Sequence, residues 1–114
     1  MLDCIFCKIA NKEIKSSIVF EDEDFVVFKD INPVADVHLL IIPKEHVKSL
    51  LEIEKIDESK LKNMFKIINK MAEESGISKD GFRVVTNIGE SACQSVGHLH
   101  FHIIGGRKMG WPPG

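Results

Sequence analysis

The spacing of apolar side chains divides the chain into five predicted strands and two predicted helices. The strand segments are short runs rich in β-branched and aromatic residues, bounded by acidic, proline or glycine turns. They cover residues 16–20, 25–31, 36–43, 81–87 and 98–104. A short first helix is expected over residues 5–10, before the first strand.

The longest periodic pattern is helical and covers residues 58–75. Its apolar residues recur every three or four positions, which places them on one face of a helix. Asp57 is a suitable N-cap and Gly76 a suitable C-terminal stop. The predicted apolar face consists of Leu61, Met64, Phe65, Ile68, Met71 and Ala72.

Five strands in largely hairpin order, together with one long and one short helix, predict an α+β fold. The long helix is expected to pack on a five-stranded antiparallel sheet. No internal repeat or linker divides the sequence, so residues 1–114 are expected to form a single domain. Because a small sheet has exposed edges, we also expect two sheets to join in a homodimer.

Composition and charge exclude several classes of protein. The net charge is −2, with acidic and basic residues well mixed, so no basic surface for a nucleic acid polymer is predicted. No apolar stretch approaches the ~20 residues of a membrane span, and no signal peptide is expected. The cysteine number is odd, and Cys4 and Cys7 form a C-x-x-C pair, which argues against a secreted disulfide framework. The expected location is the reducing cytoplasm.

The segment "GHLHFHII", residues 97–104, holds three of the five histidines at every second position. On a strand, His98, His100 and His102 would share one face, and the apolar residues between them would face the long helix. Neighbouring histidines would stand about 6.5–7 Å apart, so two could share a metal ion but three could not. The interpretations are a polar strand face, a metal-binding strand, or a row with divided catalytic roles. Three histidines in alternation favour the last.

The loop "NIGESACQSVG" precedes these histidines and is rich in small residues. Its unshielded amide N–H groups could hold an anion, and Ser95, Gln94 and Asn87 add polar donors. An ordinary hairpin loop is the alternative interpretation. Next to three histidines, the loop predicts a phosphate site, because a neutral histidine can attack phosphorus and form a covalent phosphohistidine. No run of acidic residues suggests a catalytic metal.

The stretch "QSVGHLHFHII" resembles the signature of the histidine triad (HIT) family. The resemblance extends over nearly the whole chain, through "CIFCKI", "FEDEDFVVFKDINPVADVHLLIIPKEH" and "GGRKMGWPPG". The terminal "WPPG" is similar to the purine nucleoside phosphoramidase branch, rather than the dinucleoside triphosphate hydrolase branch. The resemblance implies a HIT-like fold, a homodimer and a purine nucleotide substrate.

The resemblance also implies roles for individual residues. His100 would attack the α-phosphorus of a nucleoside 5′-phosphoramidate and form a nucleotidyl-histidine. His102 would contact phosphate oxygens, Ser95 would lie near the leaving amine, and His38 would join their hydrogen-bond network. The implied nucleotide contacts are Asp30 at the ribose, Asn87 and the loop that contains Gln94 at the phosphate, Phe6, Ile9, Phe28 and Ile31 at the base, and Trp111 near the partner's site. Cys93 replaces a glycine common in the family and could narrow the phosphate loop.

Other functions use the same residues. A dinucleoside polyphosphate hydrolase or a nucleotidyl transferase of this family would employ the same nucleophilic histidine. A non-catalytic regulator would keep the nucleotide pocket without turnover.

The pair Cys4 and Cys7 has the spacing of a zinc half-site. A redox dithiol is the competing interpretation, but such a pair normally follows a strand, and none is predicted before residue 4. With only one further cysteine, histidines would have to complete the site, and His46 and His98 are the candidates. The arrangement resembles that of triad proteins with the same N-terminal cysteine pair, in which two cysteines and two histidines hold a structural zinc ion. Two free thiols without metal remain the alternative.

Overall fold

In the computed structural model of the chain, residues 4–114 are described. Across them, five strands form one antiparallel sheet, accompanied by one short and one long α-helix, which confirms the predicted α+β fold. The strands are β1 (Ile18–Glu21), β2 (Phe25–Lys29), β3 (Val37–Pro43), β4 (Phe82–Val85) and β5 (Phe101–Gly105). The helices are α1 (Ile5–Ala10) and α2 (Glu58–Glu74), with two 3-10 turns at Leu50–Lys55 and Glu90–Ala92.

The strand order departs from hairpin order at one point. The order is β1-β2-β3-β5-β4, so β5 lies between β3 and β4. Consecutive strands are neighbours at three of the four connections, in agreement with the largely hairpin order predicted, and only β3 and β4 are separated. Strand β4 is only partly buried and suits a sheet edge. In β5, Phe101 and Ile103 are buried, and the strand needs a neighbour on each side. This order pairs His102 with Leu40 and Ile104 with His38 in the β3–β5 ladder.

Helix α2 begins and ends where its capping residues predict. The carboxylate of Asp57 accepts a hydrogen bond from the Ser59 N–H at 3.1 Å, and Gly76 ends the helix with a φ of 77°. The predicted apolar face is confirmed at Met64, Ile68, Met71 and Ala72, and Ile67 is buried with them. Phe65, predicted on the same face, is 51% exposed. It lies at the rim, where its ring meets Phe101 edge-on with 6.0 Å between ring centroids.

Apolar residues cover both faces of the central strands. On one face, Val27, Ile41 and Ile103 pack beneath α2 together with Leu99 and Phe101. On the other face, α1 packs over a second cluster formed by Phe6, Ile9, Ala10, Val26, Phe28, Leu40 and Ile42. The expected direction of Leu99, Phe101 and Ile103 toward the long helix is therefore confirmed. The opposite face is covered as well, because β2 and β3 are apolar on both sides.

The histidine row is only partly a strand. His102 lies in β5, whereas His98 and His100 precede it in irregular chain. The prediction that the strand begins at residue 98 was wrong, and one local reason is that the Leu99 N–H donates to the carbonyl oxygen of Val47 at 2.6 Å.

In the part of the chain that the structure describes, no helix has the length and apolar character that crossing a membrane requires.

Candidate active site and metal cluster

His100 is oriented by its own main chain. Its Nδ1 lies 2.7 Å from the carbonyl oxygen of His98, and a carbonyl oxygen can only accept, so Nδ1 carries the hydrogen. In the neutral ring, Nε2 then holds a free lone pair. Phe6 packs edge-on against this ring, with 5.0 Å between centroids. The arrangement leaves His100 Nε2 able to act as a nucleophile.

His38 and His102 form a second hydrogen-bonded unit with Asp30. The Val34 N–H donates to His38 Nδ1 at 3.2 Å, so the neutral His38 ring carries its hydrogen on Nε2. That nitrogen lies 2.9 Å from His102 Nδ1 and 3.3 Å from Asp30 Oδ2. His102 Nδ1 therefore accepts, and its own hydrogen lies on Nε2.

These hydrogen positions also bear on metal binding. The ligand atoms of Asp30, His38 and His102 lie within 4.8 Å of one another, a spacing that could hold a cation. A protonated Nε2 on His38 has no lone pair to offer a metal. The hydrogen bond from Val34 thus favours a proton-sharing unit at this place.

Burial keeps both histidines of this unit neutral. It lowers the pKa of His102 to about 4, assisted by His100 and His38, whereas Asp30 acts in the opposite direction. Burial also lowers the pKa of His38, and Asp30 again opposes the shift. At neutral pH, His102 can therefore offer an N–H donor to a phosphate oxygen without becoming charged.

A cavity of about 650 Å³ opens beside these histidines. Its wall brings together most of the predicted nucleotide and catalytic residues, from α1, β2, the loop before His100 and β5. Those predicted from the sequence are Phe6, Ile9, Phe28, Asp30, Ile31, Ser95, His100 and His102. The volume falls within the range of small-molecule binding sites.

Three predicted nucleotide residues lie elsewhere. The Asn87 amide donates to the carbonyl oxygen of Ala92 at 2.8 Å, inside its own loop. The Gln94 side chain accepts from the Gly89 N–H at 2.9 Å and donates to the carbonyl oxygens of Lys48 and Val96. Both amides therefore shape the loop in this structure. Trp111 is 84% exposed and does not line the cavity of its own chain.

The phosphate loop contains a left-handed residue at the position that departs from the family pattern. Cys93 has a φ of 66°, in the region that glycine adopts most easily. Its side chain is exposed.

The cavity also has lining residues that sequence reasoning did not identify. Half of them come from the segment between α1 and β1. A hydrogen bond from the Lys29 N–H in β2 to the carbonyl oxygen of Ser17, at 3.0 Å, holds this segment beside β2. In the sequence, only the polar residues near the start of the first predicted strand could have indicated that this segment lines a cavity, and an ordinary loop has the same pattern. The additional lining residues are Ile5, Ile14, Lys15, Ser16, Ser17, Lys29, Leu40 and Val96.

The side chains of the four predicted metal ligands lie close together. One ligand atom from each of Cys4, Cys7, His46 and His98 lies within 4.8 Å of the other three. Nδ1 of His98 is 3.3 Å from the Cys4 sulfur, and Nδ1 of His46 is 3.1 Å from the Cys7 sulfur. Two sulfurs and two imidazole nitrogens form a donor set suited to a tetrahedral zinc ion.

The surroundings prepare His98 to act as a ligand. Its Nε2 lies 2.8 Å from the carbonyl oxygen of Pro43, so Nε2–H donates and the Nδ1 lone pair faces the sulfurs. Burial lowers the pKa of His98 to about 4, which keeps the ring neutral as metal binding requires. Burial and the Cys4 side chain raise the pKa of Cys7 to about 11, so a bound cation would stabilise its thiolate.

Comparison with known proteins gives the class to which this fold and site belong. The sequence matches the family described as scavenger mRNA decapping enzyme C-term binding over residues 3–111. It is 46% identical to the 14 kDa zinc-binding protein of Zea mays over 112 residues, which are 96% of this chain and 87% of that protein. A 14 kDa zinc-binding protein of Brassica juncea is 43% identical and covers 98% of this chain and 100% of its own length.

Solved structures agree with this assignment. A HIT family hydrolase from Legionella pneumophila Philadelphia 1 superposes with a TM-score of 0.94 at 44% identity, covering 98% of this chain and 100% of that one. A histidine triad protein from Clostridium difficile gives a TM-score of 0.90 at 45% identity, with 96% of each chain covered. The chain belongs to the histidine triad family, as its sequence resemblance predicted.

Proposed function

We propose that the protein hydrolyses purine nucleoside 5′-phosphoramidates through a covalent nucleotidyl-histidine. The observation that carries the proposal is the hydrogen bond from His100 Nδ1 to the carbonyl oxygen of His98, at 2.7 Å. It leaves Nε2 unprotonated in a ring that lines the 650 Å³ cavity. Similar proteins are named HIT family hydrolases, which supports hydrolysis as the reaction class.

The reaction would proceed in two displacements at phosphorus. His100 Nε2 attacks the α-phosphorus, a nitrogen–phosphorus bond to the ring forms, and the bond from phosphorus to the leaving amine breaks. The amine leaves with a proton delivered from solvent through the Ser95 hydroxyl. Water then attacks phosphorus, the bond to His100 breaks, and a nucleoside monophosphate is released with the ring restored.

The remaining residues would bind and orient the nucleotide. His102 Nε2–H donates to a phosphate oxygen, and His38 holds that ring in the required tautomer. Asp30 contacts the ribose, while Phe6, Ile9, Phe28 and Ile31 enclose the base. Asn87 and Gln94 keep the loop amides directed toward the phosphate.

We also propose a zinc ion at Cys4, Cys7, His46 and His98. Two plant relatives are named zinc-binding proteins, and the four ligand atoms of this chain lie together. By binding Cys4 and Cys7 together with His98, the ion would connect the N-terminal segment to the chain just before β5 and so stabilise the position of His100. This role is structural, since the nucleophile His100 is not one of the four ligands.

The protein would act as a homodimer in the cytoplasm. Trp111 is exposed and does not line the cavity of its own chain, and in a dimer it would contact the leaving group in the partner's site. All three cysteines lie within the described chain as free thiols, which suits a reducing compartment. The partners expected are therefore a purine nucleotide and a second copy of this chain.

A substrate panel tests the function. Purified protein is offered adenosine, guanosine and cytidine 5′-phosphoramidates and a dinucleoside polyphosphate, and nucleotide binding is measured by calorimetry. We expect the highest kcat/KM for the purine phosphoramidates. Preferred cleavage of the dinucleoside polyphosphate would replace the proposal with the polyphosphate hydrolase. Nucleotide binding without turnover of any compound would indicate a regulator.

A further inference from the structure

The main chain of Val34 is held from both sides. Its N–H donates to His38 Nδ1 at 3.2 Å. Its carbonyl oxygen accepts from the Nε–H of Arg107 at 2.9 Å. A single residue therefore connects the segment that follows β5 to the histidine unit of the cavity.

The segment that contains Val34 makes few other hydrogen bonds or packing contacts. Residues 31–36 run between β2 and β3 without regular structure, and Pro33 has no N–H to donate. The hydrogen bonds at the beginning of this segment join Asp30 N–H to the His38 carbonyl oxygen at 3.0 Å and Asn32 N–H to Asp30 Oδ1 at 2.8 Å. The Val34 side chain is 53% exposed, so packing holds it weakly and the bond from Arg107 becomes important.

Two glycines bring Arg107 to this position. A Cβ on Gly105 would lie 2.8 Å from Ile77, so the chain passes directly over that side chain. Gly106 has a φ of 99°, and a Cβ there would lie 2.9 Å from the Cβ of Asp36. The sequence suggests a flexible pair, but both glycines are closely packed. The turn after β5 is therefore fixed, and it directs Arg107 to the loop before β3.

We propose that Arg107 is a positioning residue that sets the tautomers of His38 and His102 by holding Val34 in place. With the Val34 N–H on Nδ1, His38 carries its hydrogen on Nε2, and His102 must accept at Nδ1 and donate from Nε2. Without that N–H, His38 can carry its hydrogen on Nδ1, accept from His102 at Nε2 and leave the far nitrogen of His102 without a hydrogen. That tautomer of His102 cannot donate to a phosphate oxygen.

The charged and titratable groups around His38 favour this account. Asp30 and His102 face its Nε2; His102 can bind either tautomer, whereas the Asp30 carboxylate only accepts and so favours the same Nε2–H tautomer as the Val34 N–H. The guanidinium of Arg107 acts through the carbonyl oxygen of Val34 and not on the ring directly. The Val34 N–H is the donor at Nδ1, on the opposite side of the ring from Asp30, and Arg107 holds it there, so that both nitrogens of His38 are engaged in the same tautomer.

The test compares Arg107→Met with Lys108→Met, which removes a neighbouring positive charge but keeps the Lys108 carbonyl oxygen that accepts from Arg107 Nη1 at 3.2 Å. Arg107→Lys is the conservative variant, because it keeps a donor within reach of Val34. The first measurement is the imidazole nitrogen chemical shifts of His38 and His102 by NMR at neutral pH. The second is the kinetics with adenosine 5′-phosphoramidate, which rests on the proposed function, whereas the first does not.

We expect Arg107→Met to shift the hydrogen of His38 from Nε2 toward Nδ1 and to lower kcat about fivefold, the effect of losing one hydrogen bond. KM should change less than about twofold, since nucleotide contacts remain. Lys108→Met should match the wild type in both measurements, and Arg107→Lys should restore most of the wild-type shifts. Unchanged histidine shifts in Arg107→Met would overturn the inference. If the wild type hydrolyses no phosphoramidate, the proposed function fails, but the NMR comparison still decides the role of Arg107.

Discussion

His38 Nε2 lies 2.9 Å from Nδ1 of His102, although 64 residues separate them in the chain. The pairing of β3 with β5 brings them together, because Leu40 lies opposite His102 and His38 opposite Ile104 on the same face of the sheet. A sheet in hairpin order would have placed β4 between them. The placement of β5 beside β3 therefore creates this hydrogen-bonded unit.

Replacing His100 with alanine should abolish hydrolysis and leave nucleotide affinity within roughly tenfold, because the nucleophile is lost while ribose and base contacts remain. The measurement is single-turnover hydrolysis of a phosphoramidate, combined with calorimetric titration of the nucleotide. Wild-type protein denatured at alkaline pH, which preserves the acid-labile nitrogen–phosphorus bond, should carry the nucleotide on His100, identified by mass spectrometry. A nucleotide trapped on any other residue would contradict the assignment.

The low pKa of His102 predicts a loss of stability in acid. Its folded-state pKa is about 4, below the ordinary value of 6.5, so between these values the unfolded chain binds more protons than the folded one. The free energy of unfolding should therefore fall as the pH decreases through this range. Urea unfolding at neutral pH and at about pH 5 measures the change.

His102→Gln is the matched variant for that measurement, since glutamine keeps a polar side chain without titrating. It should lose part of the pH dependence, while the other groups, including the metal ligands, contribute equally to both proteins. An identical dependence in wild type and His102→Gln would show that His102 does not contribute.

Metal content can be tested separately from activity. Protein purified without chelator should contain one zinc per chain, and Cys7→Ser should lose it. The variant should melt at least about 5 °C lower, because metal binding contributes directly to folding. Its rate at a permissive temperature should stay within about threefold, because His100 does not bind the metal. Cys93→Ser changes the thiol outside the cluster and should retain zinc and melting temperature. Wild-type protein without zinc would refute the site.

The sequence predicts local features of this fold well. Asp57 and Gly76 identify the ends of α2, Pro43 the end of β3, and the alternation around Leu99 the face that packs on α2. These features depend on neighbouring residues and fixed backbone periodicities. The sequence also predicted the four residues whose ligand atoms the structure brings together, because a C-x-x-C pair has few alternative uses and the chain has few histidines.

Long-range features escaped prediction for physical reasons. The position of β5 depends on which strands bury both faces, and this depends on packing across the whole sheet. The use of the Asn87 and Gln94 amides inside their loop follows from partners such as Ala92 and Lys48, which no spacing rule connects. The contact between Arg107 and Val34 joins residues 73 positions apart in the chain, and neither residue has an unusual sequence context.

The edge of the sheet at β4 is the surface where we expect a second copy to bind. The opposite edge, β1, is protected, because Glu21 binds Lys12 at 2.9 Å and Lys44 at 2.7 Å and the strand carries an irregular register. Strand β4 exposes Val84, and Arg83 holds the tail beside it through the carbonyl oxygen of Gly110. Light scattering should therefore report about twice the chain mass of 12.8 kDa.

Two edge valines provide a matched pair of variants for this prediction. Val84 in β4 is 41% exposed and Val19 in β1 is 43% exposed, so glutamate costs a similar amount in either isolated chain. Val84→Glu should give a monomer, because a charge would be buried at the interface without a partner. Val19→Glu should remain a dimer. A monomeric wild type, or equal effects of the two substitutions, would exclude β4 as the interface and with it the role of Trp111 in the partner's site.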